Sequence, residues 1–326
     1  MAKIENDVII IGSGSAGYTA AIYLARANLK PVIIAGNESG GQLMITTDVE
    51  NYPGFAEIQG PDLMENMKNH ALKFGTEIIS DHITEFTVKK DENGKNRFIM
   101  KGQFGDEYEA KAVIIATGAT AKWLHDTDKR LVNEQKFLGY GVSGCATCDA
   151  FFFKNKTVAV VGGGNTAAED ALFLTHHVKK VYLVHRRDEM RAEKILQDRM
   201  RANPKIEFMF NKVVDDIIGV DSPKKKVTHL RLKSSKILDL DLSDKTTDIE
   251  VDGIFIAIGH KPNSDLFTDL LDIDDEGYIN TEGKSTKTNV DGLFACGDVQ
   301  DKIYRQAITA AGSGCMAALD VEKYLA

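Results

Sequence analysis

A glycine-rich element occurs twice in this chain, 150 residues apart, each time between an apolar β-branched run and an alanine-rich stretch. The first copy reads Val8-Ile-Ile-Ile-Gly12-Ser13-Gly14-Ser15-Ala16-Gly17, the second Val158-Ala-Val-Val-Gly162-Gly-Gly164-Asn165-Thr166-Ala167. Each spells G-x-G-x-x-G/A in strand–turn–helix context, which offers backbone N–H groups at a helix N-terminus to a diphosphate. One such turn is a weak signal. Two in full context predict an α/β chain with two Rossmann-like dinucleotide-binding domains. A C-x-x-C, Cys145-Ala-Thr-Cys148, stands between them.

The 326 residues leave room for about two domains with real cores. A hydrophobic fraction of 43% and a charged fraction of 27% place the chain among globular proteins rather than disordered ones. The net charge of −8, without a long basic block, argues against nucleic acid as the main partner. No apolar run approaches the ~18 residues of a membrane helix, and the N-terminal residues lack an apolar signal core. Four cysteines do not make a disulfide framework, so a cytoplasmic location is expected.

Residues 7–11, 15–28 and 31–35 read as strand, helix and strand, the start of a βαβ unit. A structured loop follows over 40–54, then a helix near 61–74 opened by Pro61 and stopped by Gly75. Residues 76–112 alternate around Asp91-Glu-Asn-Gly94 as hairpins. The run Val113-Ile-Ile-Ala116-Thr117-Gly118 is echoed by Ile254-Phe-Ile-Ala-Ile-Gly259, so the repeat extends past the glycine turns. The simplest topology inserts the second domain into the first, with crossings near 118–122 and 248–253. This gives one discontinuous domain of residues 1–119 and 251–326 around a second of residues 120–250. The charge-rich segment 221–250 reads as exposed hairpins. A domain held by two crossings can rotate. Because the cysteine pair and the second nucleotide turn share the inserted domain, such a rotation between half-reactions is expected.

An NAD site places an acid after its second strand, whereas a cationic fork there suits a 2′-phosphate. After Val181-Tyr-Leu-Val184 come His185, Arg186 and Arg187, with Arg191 a turn later, which favours NADPH. A solvated basic helix start is the plainer alternative. The first unit ends its second strand in Ala35-Gly36 with no cation nearby, and FAD suits it. Gly297-Asp298-Val299 offers an acceptor for ribityl hydroxyls, although an aspartate there also suits a cap. Arg305-Gln306-Ala307 opens a helix whose N-terminus can stabilise negative charge on a reduced ring.

For Cys145 and Cys148, zinc needs two further ligands, and Cys296 and Cys315 stand 19 apart without a second C-x-x-C; iron–sulfur chemistry fails on the same count. No metal site is expected. Dithiol/disulfide chemistry fits best, with an inert pair the other possibility. The second cysteine is expected to open a helix, which lowers a thiol pKa. Asp149 suits proton transfer or an N-cap at Ala150. Phe151-Phe152-Phe153 reads as core in preference to a docking surface, and Cys296 and Cys315 as packing residues.

Together these motifs resemble the low-molecular-weight, bacterial-type thioredoxin reductases. The resemblance runs over almost the whole chain, through Gly12–Gly17, Gly40-Gly41-Gln42-Leu43, Glu50-Asn51-Tyr-Pro-Gly54, Ala116-Thr117-Gly118, Cys145-Ala-Thr-Cys148-Asp149, Gly162–Ala167, His185-Arg186-Arg187, Gly297-Asp298 and Arg305-Gln306-Ala307. It implies FAD, NADPH, a homodimer, and reduction of thioredoxin. Carried over by position, Cys145 and Cys148 are the redox pair and Asp149 the proton donor. Gly12, Ser13, Gly14, Ala16, Gly17, Gly41, Gln42, Leu43, Asn51, Ala116, Thr117, Gly118, Gly297, Asp298, Arg305, Gln306 and Ala307 belong to the FAD site. Gly162, Gly164, Asn165, Thr166, Ala167, His185, Arg186, Arg187 and Arg191 belong to the NADPH site. Two residues depart from the family pattern: Ser15 where proline is common, and Tyr140 where a basic residue is often found. A flavin reductase with another acceptor (a peroxiredoxin-like protein or ferredoxin) and a non-catalytic NADPH or redox sensor are the alternatives.

Overall fold

A computed structural model describes residues 3–45, 48–235 and 246–326. The chain divides into two compact units, Met1–Thr120 with Lys261–Ala326, and Ala121–His260.

In the first unit the strand Lys3–Ile11 is the hub of a mixed seven-stranded sheet. It pairs in parallel with Val32–Ile34 on one side and Glu107–Ile115 on the other, with Ile9 opposite both Val32 and Val113. Parallel strands covered on both faces must be apolar throughout, and Val8-Ile-Ile-Ile11 is. Val8 and Ile10 enter a core shared with the helices Ser15–Arg26, Gly60–Lys73 and Ala307–Leu325. Ile9 and Ile11 point to the opposite face, among Phe98, Tyr108 and Phe267. The expected hairpin forms from Ile83–Lys90 and Asn96–Gly102 around Asp91–Gly94. The late strand Leu293–Ala295 joins the C-terminal half of Glu107–Ile115, with Ala295 opposite Ile115. Helix Ala307–Leu325 crosses Ser15–Arg26 so closely that a Cβ at Gly314 would lie 2.2 Å from the Ala16 carbonyl oxygen.

The second unit repeats this plan. Five parallel strands run in the order Val142–Ser143, Gly253–Ala257, Thr157–Gly162, Lys180–His185 and Ile206–Phe210. One face packs on the helices Asn165–Leu174 and Lys194–Ala202, the other on an antiparallel meander of Lys212–Val220, Lys226–Ser234 and Thr246–Glu250. Residues 236–245 of the expected hairpin segment lie outside the described residues.

The expected crossing at 248–253 is corrected by the sheet register. Gly253–Ala257 pairs along its length with Thr157–Gly162, Val160 opposite Phe255, so residues 251–260 belong to the second unit and the chain returns to the first at Lys261. The resemblance of Ile254–Gly259 to Val113–Gly118 is real at the level of structure, but each strand lies inside the sheet of its own unit. An apolar run ending in glycine does not say which of two similar sheets it will join.

Candidate active site

Both glycine turns are built alike. In the first, a Cβ at Gly12 would stand 2.2 Å from the Ala116 carbonyl oxygen, and one at Gly17 2.1 Å from that of Gly12. In the second, a Cβ at Gly162 would stand 2.3 Å from the Ala257 carbonyl oxygen and 2.7 Å from the Ala167 methyl. Side chains are thus excluded where turn, strand and helix meet. The middle glycines face open space: among the described residues nothing lies within 4 Å of a Cβ at Gly14 or Gly164. An open cradle at a helix N-terminus, in each unit, fits a dinucleotide diphosphate.

Around the first turn the structure gathers most of the residues expected there. Gly41 begins a 3-10 turn, Gly41–Ile45, with its Cβ position 3.7 Å from the Gly14 Cα; Leu43 of that turn packs on the core. Ser13 is buried and serves as a strut, its hydroxyl donating to the Ala35 carbonyl (2.8 Å) and accepting from the Gly40 N–H (3.0 Å). Gly297 takes a left-handed φ of 73° and sets Asp298 beside the start of the Ser15–Arg26 helix, its Cβ position 3.0 Å from that of Ala16. Asp298 Oδ1 is sealed from solvent and has no hydrogen-bond partner among the described residues. Burial pushes this carboxyl up to about 7, with Asp301 adding to the rise and Arg305 opposing it. A buried acceptor left orphaned is costly, and a hydroxyl of a bound dinucleotide would satisfy it. The first unit therefore fits FAD. Arg305 is itself left-handed (φ 46°), and Gln306 caps the helix Ala307–Leu325 while accepting from Asn51 Nδ2 at 3.3 Å.

Sequence reasoning missed Asn263. Its Nδ2 donates to the Thr117 carbonyl (2.9 Å), its carbonyl accepts from Thr117 Oγ1 (2.7 Å), and its N–H donates to the Gly118 carbonyl (3.0 Å). It fixes the turn at Ala116–Gly118 from 146 residues away. The Pro262-Asn263 dipeptide signals a turn but not what the turn touches.

In the second unit Arg186, Arg187 and Arg191 are exposed, and none forms an ion pair among the described residues. Their backbone is nevertheless held: Ser235 Oγ donates to the Arg186 carbonyl at 2.6 Å, and the Asn211 N–H to that of Arg187 at 3.2 Å. His185 is buried with its ring packed against Gly163. Burial first, then the three arginines, lower its pKa against the pull of the Glu189 carbonyl, 3.1 Å from Nε2. A neutral ring facing a carbonyl must carry its proton on Nε2. His185 supports the loop from beneath.

Cys145 and Cys148 form a disulfide with Cα atoms 5.4 Å apart. The expectation that Cys148 opens a helix is corrected: Cys145 is the cap of the short helix Ala146–Asp149, its Sγ accepting from the Cys148 N–H (3.2 Å) and lying 3.4 Å from Thr147 Oγ1. Those donors favour charge on the Cys145 sulfur once the bond is opened. Asp149 precedes the 3-10 turn Ala150–Phe153 but makes no side-chain cap to it. The phenylalanine run divides: Phe153 is buried edge-on against Phe255, while Phe151 is 58% exposed. Cys296 is fully buried and its thiol is pushed up to about 12, as suits a packing residue. At the Tyr140 departure a cation is still present, with Lys225 Nζ 4.5 Å above the ring. No cluster able to hold a metal occurs among the described residues, and no described helix is long and apolar enough to cross a membrane.

Two βαβ nucleotide cradles and a cysteine disulfide in one chain define a nucleotide-linked disulfide oxidoreductase. The model of the pyridine nucleotide-disulphide oxidoreductase family matches residues 6–314, and the chain belongs to that family. Among its relatives are thioredoxin reductases from Rickettsia felis, 56% identical over 99% of both chains, and Coxiella burnetii, 49% identical over 98% of this chain and 97% of the relative. The solved thioredoxin reductase from Streptococcus pyogenes MGAS5005 superposes with a TM-score of 0.88 at 40% identity, covering 98% of each chain. That from Giardia duodenalis gives 0.89 at 38% identity over 99% of each.

Proposed function

We propose that this chain is an NADPH-dependent reductase of thioredoxin, with FAD in the first unit and NADPH in the second. The observation that carries the reading is the Cys145–Cys148 disulfide in the same compact unit as a glycine turn flanked by three exposed arginines. A bound flavin supplies two-electron transfer between a nicotinamide and a disulfide. The chain's own groups do the rest. Gly12–Gly17 and Gly162–Ala167 receive the diphosphates on backbone N–H groups, Asp298 orients the flavin chain, and Arg186, Arg187 and Arg191 take the 2′-phosphate. Two electrons and two protons open the Cys145–Cys148 bond. A thiolate of the pair then attacks the partner's disulfide, one partner sulfur leaving as a thiolate that is protonated, and a mixed disulfide forms. The remaining cysteine displaces it, which restores the Cys145–Cys148 bond and frees the partner as a dithiol. Asp149, next to Cys148, handles the proton at the Cys148 sulfur.

The test is anaerobic titration with NADPH, followed by turnover on thioredoxin, a peroxiredoxin-like protein and ferredoxin. About two equivalents per chain, flavin plus disulfide, with thioredoxin the preferred acceptor, is the expected result. One equivalent would make the cysteines spectators and sink the reading.

The working form proposed is a cytoplasmic homodimer. The exposed side chains Ile308, Met316 and Leu319 along the helix Ala307–Leu325 support association through an apolar surface. Light scattering is expected to give twice the chain mass of 35.8 kDa; a particle of single-chain mass at micromolar concentration would refute it.

A further inference from the structure

The segment that follows the second strand is tied to the phosphate turn twice, at Arg191 by a backbone carbonyl of the turn and at Glu193 by the Asn165 side chain. Asn165 Oδ1 accepts from the Glu193 N–H at 2.8 Å, and its Nδ2 reaches Glu193 Oε1 at 3.4 Å. One residue before Asn165's neighbour Gly164, the Gly163 carbonyl accepts from the N–H groups of Arg191 (2.8 Å) and Ala192 (3.2 Å). Met190 and Ala192 are buried on either side of Arg191, and Gln197 Nε2 donates to the Ala192 carbonyl at 2.7 Å. Arg191 therefore projects from a short segment whose backbone is pinned to the diphosphate turn, and its guanidinium remains exposed. The first unit, considered alone, uses Ser13 in the same way, bridging its turn to Ala35 and Gly40 after the second strand. In this fold that segment reads the 2′ position of the ribose.

We propose that Asn165 is a positioning residue for coenzyme choice: it acts on the 2′-phosphate through its side-chain bonds to Glu193, which steady the segment carrying Arg191, rather than by touching the coenzyme. This rests on the NADPH reading above. Its side-chain oxygen is already engaged with Glu193, so a role in contact with the diphosphate is the weaker account. A residue acting through Arg191 controls discrimination between NADPH and NADH. A residue touching the diphosphate controls both alike, because both coenzymes carry that group.

The experiment measures KM for NADPH and for NADH in the holoenzyme for wild type, Asn165→Ala, Arg191→Ala and the double variant, with titration of adenosine 2′,5′-bisphosphate as a turnover-free readout. Asn165 is exposed, so its truncation leaves the core intact. Asn165→Ala is expected to raise KM for NADPH and weaken the bisphosphate roughly tenfold, with NADH changed less than about twofold. In the Arg191→Ala background the same truncation is expected to cost under about twofold, since its target is gone. Equal weakening of both coenzymes, no change in either, or full additivity in the double variant would each overturn the inference while the functional reading stands. A wild-type protein that takes electrons from neither coenzyme would overturn both.

Discussion

Replacing Cys148 with serine is expected to lower turnover on thioredoxin by roughly 10³-fold or more, because the proposed path runs through the dithiol. The physical reason is stoichiometric. Reduction of an external disulfide needs one sulfur to attack and a second to resolve the mixed disulfide, and the other two cysteines are unsuited to stand in. Cys296 is fully buried with its thiol held far toward the neutral form, and Cys315 lies in the helix Ala307–Leu325 of the other unit. Cys145→Ser is expected to be as severe. Titration with NADPH should fall to about one equivalent in either variant, since only the flavin then accepts electrons. Stopped-flow bleaching of the flavin and a thioredoxin-coupled assay on the same preparations separate the two events. Turnover within tenfold of wild type in either variant would show that the disulfide is not on the path.

Asp298→Asn is expected to weaken FAD binding by roughly 10–100-fold, the range for loss of a charge-assisted hydrogen bond in a buried site. The same variant should stabilise the apoprotein at pH 8. Asp298 Oδ1 has no hydrogen-bond partner among the described residues, and burial raises the carboxyl from 3.8 to about 7. A folded pKa above the unfolded one means that between these two values the unfolded chain holds fewer protons. Stability from this group is therefore present below about pH 4 and is lost as pH rises through 7. Asparagine does not titrate, so the apo variant is expected to melt a few degrees above apo wild type at pH 8 and level with it near pH 4. Flavin retention on purification and calorimetry of the apoproteins at the two pH values check both halves. Undiminished FAD affinity would remove Asp298 from the flavin site.

These expectations draw on two kinds of information. The two glycine turns, the C-x-x-C and the arginines after the second strand of the second unit are local patterns. The turns and the cysteine pair are set by what a tight turn or a disulfide requires of a few consecutive residues, so their presence was legible in the sequence. So were the hairpin around Asp91–Gly94 and the buried parallel strands, whose residues must be apolar on both faces.

The sequence by itself determined that the chain holds two nucleotide-binding βαβ units with a dithiol between them. Tertiary structure decided which unit owns the strand Gly253–Ala257, because two similar sheets compete for it and only the register with Thr157–Gly162 settles the choice. It also decided that Cys145, not Cys148, caps the helix, and that Asn263 holds Thr117 and Gly118. Ser13, Asn165 and His185 turned out to be struts of their loops, because hydrogen-bond partners far apart in the chain meet only when strands and helices are packed. Local chemistry is written in neighbouring residues. Which groups are satisfied, and which, like Asp298 Oδ1 among the described residues, are buried without a partner, is a property of the folded whole.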